Sequence, residues 1–128
     1  MAGIDNFTQK ARLVLSLAQE QAQRLRKPQI NTEHLLLALI ELEGSVASRV
    51  LRDLGLEIDT ITDVVEKELG FGEHTGQVTL SPGMQQVIPF AIEEANRREQ
   101  NNVGTEHLLL GLTRLSNCEA MIILKKAG

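Results

Sequence analysis

Aromatic side chains are nearly absent from this chain of 128 residues, which has three Phe, no Tyr and no Trp. A core without them must be filled by Leu, Ile, Val and Ala, which suits helices packed on helices. The scarcity also argues against a base-stacking surface for nucleic acid. Positive charge is in deficit too. The formal charge is −4, which argues against nonspecific DNA binding. The single cysteine, Cys118, excludes an internal disulfide and points to a reducing compartment. Its expected place is that of a small, semi-buried residue. No apolar run approaches the ~18 residues of a membrane span, and the opening MAGIDNFTQKAR has no apolar signal core. A cytoplasmic protein without membrane contact is expected. The phosphate loop GxxxxGK[ST] is lacking, as are a CxxC pair and an HExxH pattern. No nucleophile stands beside a base. Neither catalysis, nor a cofactor, nor a metal site is expected.

What the chain does contain, it contains twice. NTEHLLLAL at 31–39 returns as GTEHLLLGL at 104–112, with His34 and His107 lying 73 residues apart (107 − 34). Sliding the chain by that step aligns 7–55 with 80–128 without a gap. Val14, Ala18, Glu20, Ala22 and Arg24 meet identical residues at Val87, Ala91, Glu93, Ala95 and Arg97. Ala47, Leu51 and Gly55 meet Ala120, Leu124 and Gly128. Such a register marks a duplicated structural unit. Function should therefore be sought at two equivalent places.

The periodicity predicts an all-α domain of about seven helices. Thr8 is the expected cap of helix one, in which Ala11, Val14, Leu15, Ala18, Ala22 and Leu25 form one apolar stripe. Arg24, Arg26 and Lys27 suit its negative end, and Pro28 stops it. Thr32 is the expected cap of helix two, which ends at Gly44. Helix three spans about 45–53 and helix four about 59–69. Gly70, Gly72 and Gly76 then mark a flexible linker, 70–80, in which His74 is expected to be solvated. Ser81-Pro82 restarts the pattern. Helix five runs to about Glu99, with a bend expected at Pro89. Helix six runs from Thr105 to about Leu115, and helix seven from about Asn117 to Lys126. The whole forms one domain: repeat one at 7–69 and repeat two at 81–128. The second repeat stops one helix short, which should expose apolar surface on helices five to seven. Either the chain is a trimmed fragment or it ends there naturally. Leu36 and Leu109 are placed on the inner stripes of their helices.

The candidate chemistry lies at Thr32-Glu33-His34 and Thr105-Glu106-His107. Each motif puts a carboxylate in the first turn of a helix. A favourable interaction with the positive helix end, worth roughly 0.3–1 kcal/mol, explains one occurrence. The histidines are expected to pack or hydrogen-bond at those starts. The doubling beside Thr8 and Ser81 suggests more. Free N–H groups at a helix start suit a phosphate, and a carboxylate suits a guanidinium. A site with both would suit a guanidinium joined to a phosphate.

At these residues the chain resembles the N-terminal repeat domain of the bacterial Clp ATPases. The doubled [NG]-T-E-H-L-L-L-[AG]-L motif carries the likeness, with Phe7-Thr8, Ala18-Gln19-Glu20 and Val50-Leu51-Arg52-Asp53-Leu54-Gly55. The two TEH motifs point to the ClpC branch. The resemblance implies two pseudo-symmetric repeats of a four-helix motif, here without the last helix. It implies a non-catalytic domain above an AAA+ unfoldase ring that receives substrate proteins and adaptor proteins. In the ClpC branch it implies phosphoarginine binding, with the glutamates at Glu33 and Glu106 and the hydroxyls at Thr8 and Ser81. The alternative is a stand-alone accessory protein that regulates Clp assembly. Two departures bear on this. Ser116-Asn117-Cys118 replaces a Gly- and Glu-rich segment, and Gly83 replaces a basic residue whose first-half counterpart is Lys10. The Glu33 site is therefore expected to bind more tightly than the Glu106 site.

Overall fold

A computed structural model describes residues 6–127. Gly128, the expected partner of Gly55, lies outside the described residues. Seven helices carry the fold: α1 (Gln9–Arg24), α2 (Thr32–Glu41), α3 (Val46–Asp53), α4 (Ile58–Leu69), α5 (Pro82–Arg97), α6 (Thr105–Thr113) and α7 (Glu119–Ala127). The only strands among the described residues are β1 (Gln29–Ile30) and β2 (Thr79–Leu80). They pair in parallel, with Ile30 opposite Leu80.

A second parallel bridge joins Phe7 to Val103. One repeat step turns Phe7 into Leu80 and Ile30 into Val103, so the two bridges are images of one another. Each half lends its entry strand to the other half. The halves are therefore interlocked, not laid side by side.

α2 lies at the centre. Every residue from Thr32 to Ile40 is buried, because α1, α3, α4, α6 and α7 all pack against it. A helix that is apolar nearly all round belongs in such a place. Its counterpart α6 is less covered: Leu108 and Leu112 are fully buried, but Leu109 is only half-buried. The equivalence expected of Leu36 and Leu109 therefore fails, since α2 receives α4 and no described helix plays that part for α6. Close packing of α6 falls instead on α5. A Cβ on Gly111 would lie 2.9 Å from the carbonyl oxygen of Val87, so glycine sets that approach. The other half has Ala38 there, fully buried.

Several expectations need correction. The helix-two cap is Asn31, not Thr32, which is the first helical residue. α1 ends at Arg24, and Arg26 beyond it has φ 57°. Lys27 instead caps α4, donating from Nζ to the carbonyl of Leu69 at 3.0 Å. α5 ends at Arg97 and α6 at Thr113, and α7 begins at Glu119. α5 does carry Pro89 in its interior and runs on as one element through it, with Pro89 exposed. The 70–80 segment is docked along residues 25–30. Gly72, His74 and Thr79 donate backbone N–H groups to the carbonyls of Leu25, Arg26 and Pro28 at 2.8, 3.0 and 3.2 Å. A Cβ on Gly72 would lie 2.2 Å from the Arg26 carbonyl oxygen, which explains glycine there. His74 is half-buried and bonds through Nε2 to the carbonyl of Gln77 at 2.8 Å. The bared apolar face expected on helices five to seven is reduced to Ile122, 46% exposed, among the large hydrophobic residues described. α7 is covered where it packs on α4 and α2, whereas Leu109 and Leu110 of α6 stay half-buried.

Candidate functional site

The four expected site residues sit at helix starts. Thr8 caps α1, its Oγ1 accepting the N–H of Ala11 at 3.1 Å. Ser81 caps α5 in the same way, accepting from Met84 at 3.2 Å. Glu33 and Glu106 lie in the first turns of α2 and α6.

The grouping of these residues crosses the repeats. The N–H of Thr8 donates to the carbonyl of Val103 at 2.9 Å, immediately before Gly104, the cap of α6. The N–H of Ser81 donates to the carbonyl of Ile30 at 3.0 Å, immediately before Asn31, the cap of α2. Thr8 therefore shares a cleft with Glu106, and Ser81 faces the start of the helix that carries Glu33. The third helices follow the same exchange. Thr105 Oγ1 accepts the N–H of Ala47 in α3 at 3.2 Å, and Thr32 Oγ1 accepts that of Ala120 in α7 at 3.1 Å. Each cleft thus gathers three helix N-termini: α1, α3 and α6 at one, and α5, α7 and α2 at the other. Converging N-termini favour a negatively charged ligand.

The clefts differ in charge. The first encloses about 700 Å³ and is lined by Thr8, Lys10, Gly44, Val46 and the Gly104–His107 turn. Lys10 Nζ donates to the carbonyl of Gly44 at 2.8 Å, so a cation stands on its rim. Glu106 is half-buried and lines the wall. The second cleft, about 620 Å³, is lined by Asn31, Thr32, Ser81, Gly83, Cys118 and Glu119 among others. Gly83 stands where the first cleft has Lys10, and Glu119 where it has Val46. Cys118 is half-buried, as expected. Glu33 is not on that wall. It is 5% exposed, and its Oε1 has no hydrogen-bond partner. The expected ranking of the two sites rests on Lys10 standing beside Glu33, and it does not stand there. The basic residue that favoured Glu33 on the sequence belongs to the cleft of Glu106.

The histidines do hydrogen-bond at the helix starts. His34 Nδ1 accepts the N–H of Asn31 at 2.9 Å, and His107 Nδ1 accepts that of Gly104 at 2.8 Å. This is the role a Glu or Gln plays three residues after an ordinary cap. His107 also bonds through Nε2 to the side chain of Gln100, whereas His34 Nε2 is buried without a hydrogen bond, 3.8 Å from Glu33 Oε2. Burial, helped by the negative charge of Glu119, pushes the Glu33 carboxyl up to about 7. Burial first, then Lys27 and Arg24, pulls His34 down to about 4.

The family model described as the Clp repeat (R) N-terminal domain matches residues 6–127. This chain belongs to that family. A probable ATP-dependent Clp protease ATP-binding subunit of Chlamydia pneumoniae is 40% identical over 124 residues, covering 94% of this chain and 15% of that protein. The ATP-binding subunit ClpC of Staphylococcus aureus is 42% identical over 109 residues, covering 84% of this chain and 13% of the relative. The chain thus spans about 15% or less of these relatives' length. Among solved structures, a complex of a ClpV N-domain with VipB peptide shares the fold, with a TM-score of 0.75 at 19% identity, covering 91% of this chain and 72% of that one. Like other Clp N-domains, this chain is all-α, and none of its described helices is long and apolar enough to cross a membrane.

Proposed function

We propose that this Clp N-domain is a non-catalytic docking module of a cytoplasmic Clp-type unfoldase, and that it takes phosphoarginine side chains of partner proteins in its first cleft. The observation that carries the reading is the meeting of Thr8, Lys10 and Glu106 on one wall despite their distance in sequence. Three helix N-termini and the Lys10 ammonium suit a phosphoryl group. The Glu106 carboxylate suits the guanidinium that bears it. Support for protein partners comes from the ClpV N-domain of the same fold, which is solved with a peptide.

Calorimetry of the chain with free phosphoarginine tests the reading. One site per chain is expected, weakened at least tenfold in Glu106→Gln while the melting curve stays unchanged. Wild-type protein that ignores the ligand at millimolar concentration, with arginine and inorganic phosphate as controls, removes phosphoarginine from the proposal.

A further inference from the structure

The two clefts are built alike, yet one carboxylate lines its cleft and the other is buried. The caps of α2 and α6 differ at one position, Asn31 against Gly104. Their backbones do not differ: Asn31 has φ −111° and ψ 177°, and Gly104 φ −103° and ψ −177°. Both are extended conformations open to any residue, so glycine at 104 is not a backbone requirement. Its consequence is spatial. A Cβ on Gly104 would lie 2.3 Å from Glu106 Oε1 and 3.0 Å from its Cδ. The carboxylate lines the cleft because no side chain occupies that space.

Asn31 has that Cβ. By the repeat, it stands where the Glu33 carboxylate would have to lie to line the second cleft. Glu33 is found inside instead, with Oε1 lacking any partner. The amide of Asn31 completes the closure. Its Oδ1 accepts from Ser81 Oγ at 2.8 Å and its Nδ2 donates to Glu119 Oε1 at 3.2 Å. It thereby occupies the cap hydroxyl that has Thr8 as its counterpart in the first cleft. Burying a carboxylate is costly, and burial pushes Glu33 up to about 7, although a backbone N–H and His34 Nε2, 3.8 Å from its Oε2, face it inside.

We propose that Asn31 is a plug that closes the second cleft, and that the side chain at this cap position decides which of the two glutamates is offered to a ligand. The ligand is the phosphoarginine of the proposed function, and on that point the inference rests on it.

The test is an amide NMR titration of the full chain with free phosphoarginine. Wild-type shifts are expected at Thr8–Lys10 and Thr105–His107 alone. Asn31→Gly with Gly83→Lys should add a second set at Thr32–His34 and Ser81–Met84, with an affinity within about tenfold of the first. Asn31→Ala with Gly83→Lys keeps the Cβ and should add none. Gly104→Asn should weaken the first set at least tenfold. The plug is overturned if the glycine variant gains no second set, if the alanine variant gains it equally, or if Gly104→Asn binds like wild type. Silence of the wild type would remove the phosphoarginine reading and leave the plug testable. Carboxyl NMR of Glu33 should then show its midpoint falling from near 7 to the ordinary carboxylate range in Asn31→Gly. An unmoved midpoint overturns the plug.

Discussion

Thr105, in the second repeat, holds the start of a helix in the first: its Oγ1 accepts the N–H of Ala47 at 3.2 Å. Thr32 repays this across the pseudo-two-fold axis by accepting from Ala120 at 3.1 Å. Both donors are buried and have no helical partner, because they lie in first turns. Thr105→Val and Thr32→Val keep the shape and remove the acceptor. Each should cost about 1–3 kcal/mol, the cost of a buried polar group left unpaired. Urea unfolding measures it. A variant as stable as wild type would show that these contacts do not hold the halves together.

The core predicts unequal responses at equivalent positions. Leu36 is fully buried under several helices, whereas Leu109 is half-buried. Leu36→Ala should cost about 2–5 kcal/mol. Leu109→Ala removes less buried surface and leaves no sealed cavity, so its cost should fall below about 2 kcal/mol. Thermal melts of the two variants with the same midpoint would contradict the difference in covering.

The duplication was legible because a gapless register admits no different loops. The stripe of Ala11, Val14, Ala18 and Ala22 was legible because buried small residues at helical steps have one reading. The exchange between halves was not. A pseudo-two-fold domain lists the same residues whether Thr8 joins Glu33 or Glu106, since swapping the halves leaves the pattern unchanged. The bridges from Phe7 to Val103 and from Ile30 to Leu80, with the contacts of Thr105 to Ala47 and Thr32 to Ala120, distinguish the two. Thr32 reads as a cap from its place before the apolar run, but its hydroxyl meets a donor far away in sequence, Ala120. The change from Asn31 to Gly104 stood in plain view within the doubled motif. Its meaning depends on where a Cβ lies relative to a carboxylate two residues on, which spacing does not show.

Glu33 and His34 give stability two opposed dependences on pH. The folded carboxyl titrates at about 7 against an ordinary 4.5. The folded state therefore keeps its proton longer than the unfolded chain, and this stability, full below 4.5, is lost as pH rises to about 7. His34 titrates at about 4 against 6.5. Its contribution is full above 6.5 and is lost as pH falls to about 4. Between 4.5 and 6.5 the two slopes cancel. Glu33→Gln removes one of them. Its stability should rise with pH through that window where the wild type is level. Relative to wild type it should gain up to about 3 kcal/mol from the acid side to above pH 7. Denaturation at several pH values reads this directly. Parallel curves for the two proteins would mean that the Glu33 carboxyl is not raised in the folded state.

The crossed pairing makes a last prediction that the unswapped arrangement cannot share. Lys10, Thr8 and Glu106 line one cleft, so their contributions to phosphoarginine binding should be coupled. Removing one charge-assisted contact costs about 1.5–3 kcal/mol, or roughly tenfold to a hundredfold in affinity. Lys10→Ala and Glu106→Gln should each weaken binding by that factor. The double variant should lose less than the two losses together, because groups serving one ligand do not act independently. Glu33→Gln, buried away from both clefts, should change the affinity of the first cleft less than about twofold, and its effect should simply add to that of Lys10→Ala. Calorimetry of the single and double variants completes the two cycles. Coupling of Lys10 to Glu33 with additivity to Glu106 would place the ligand within one repeat and reject the crossed site.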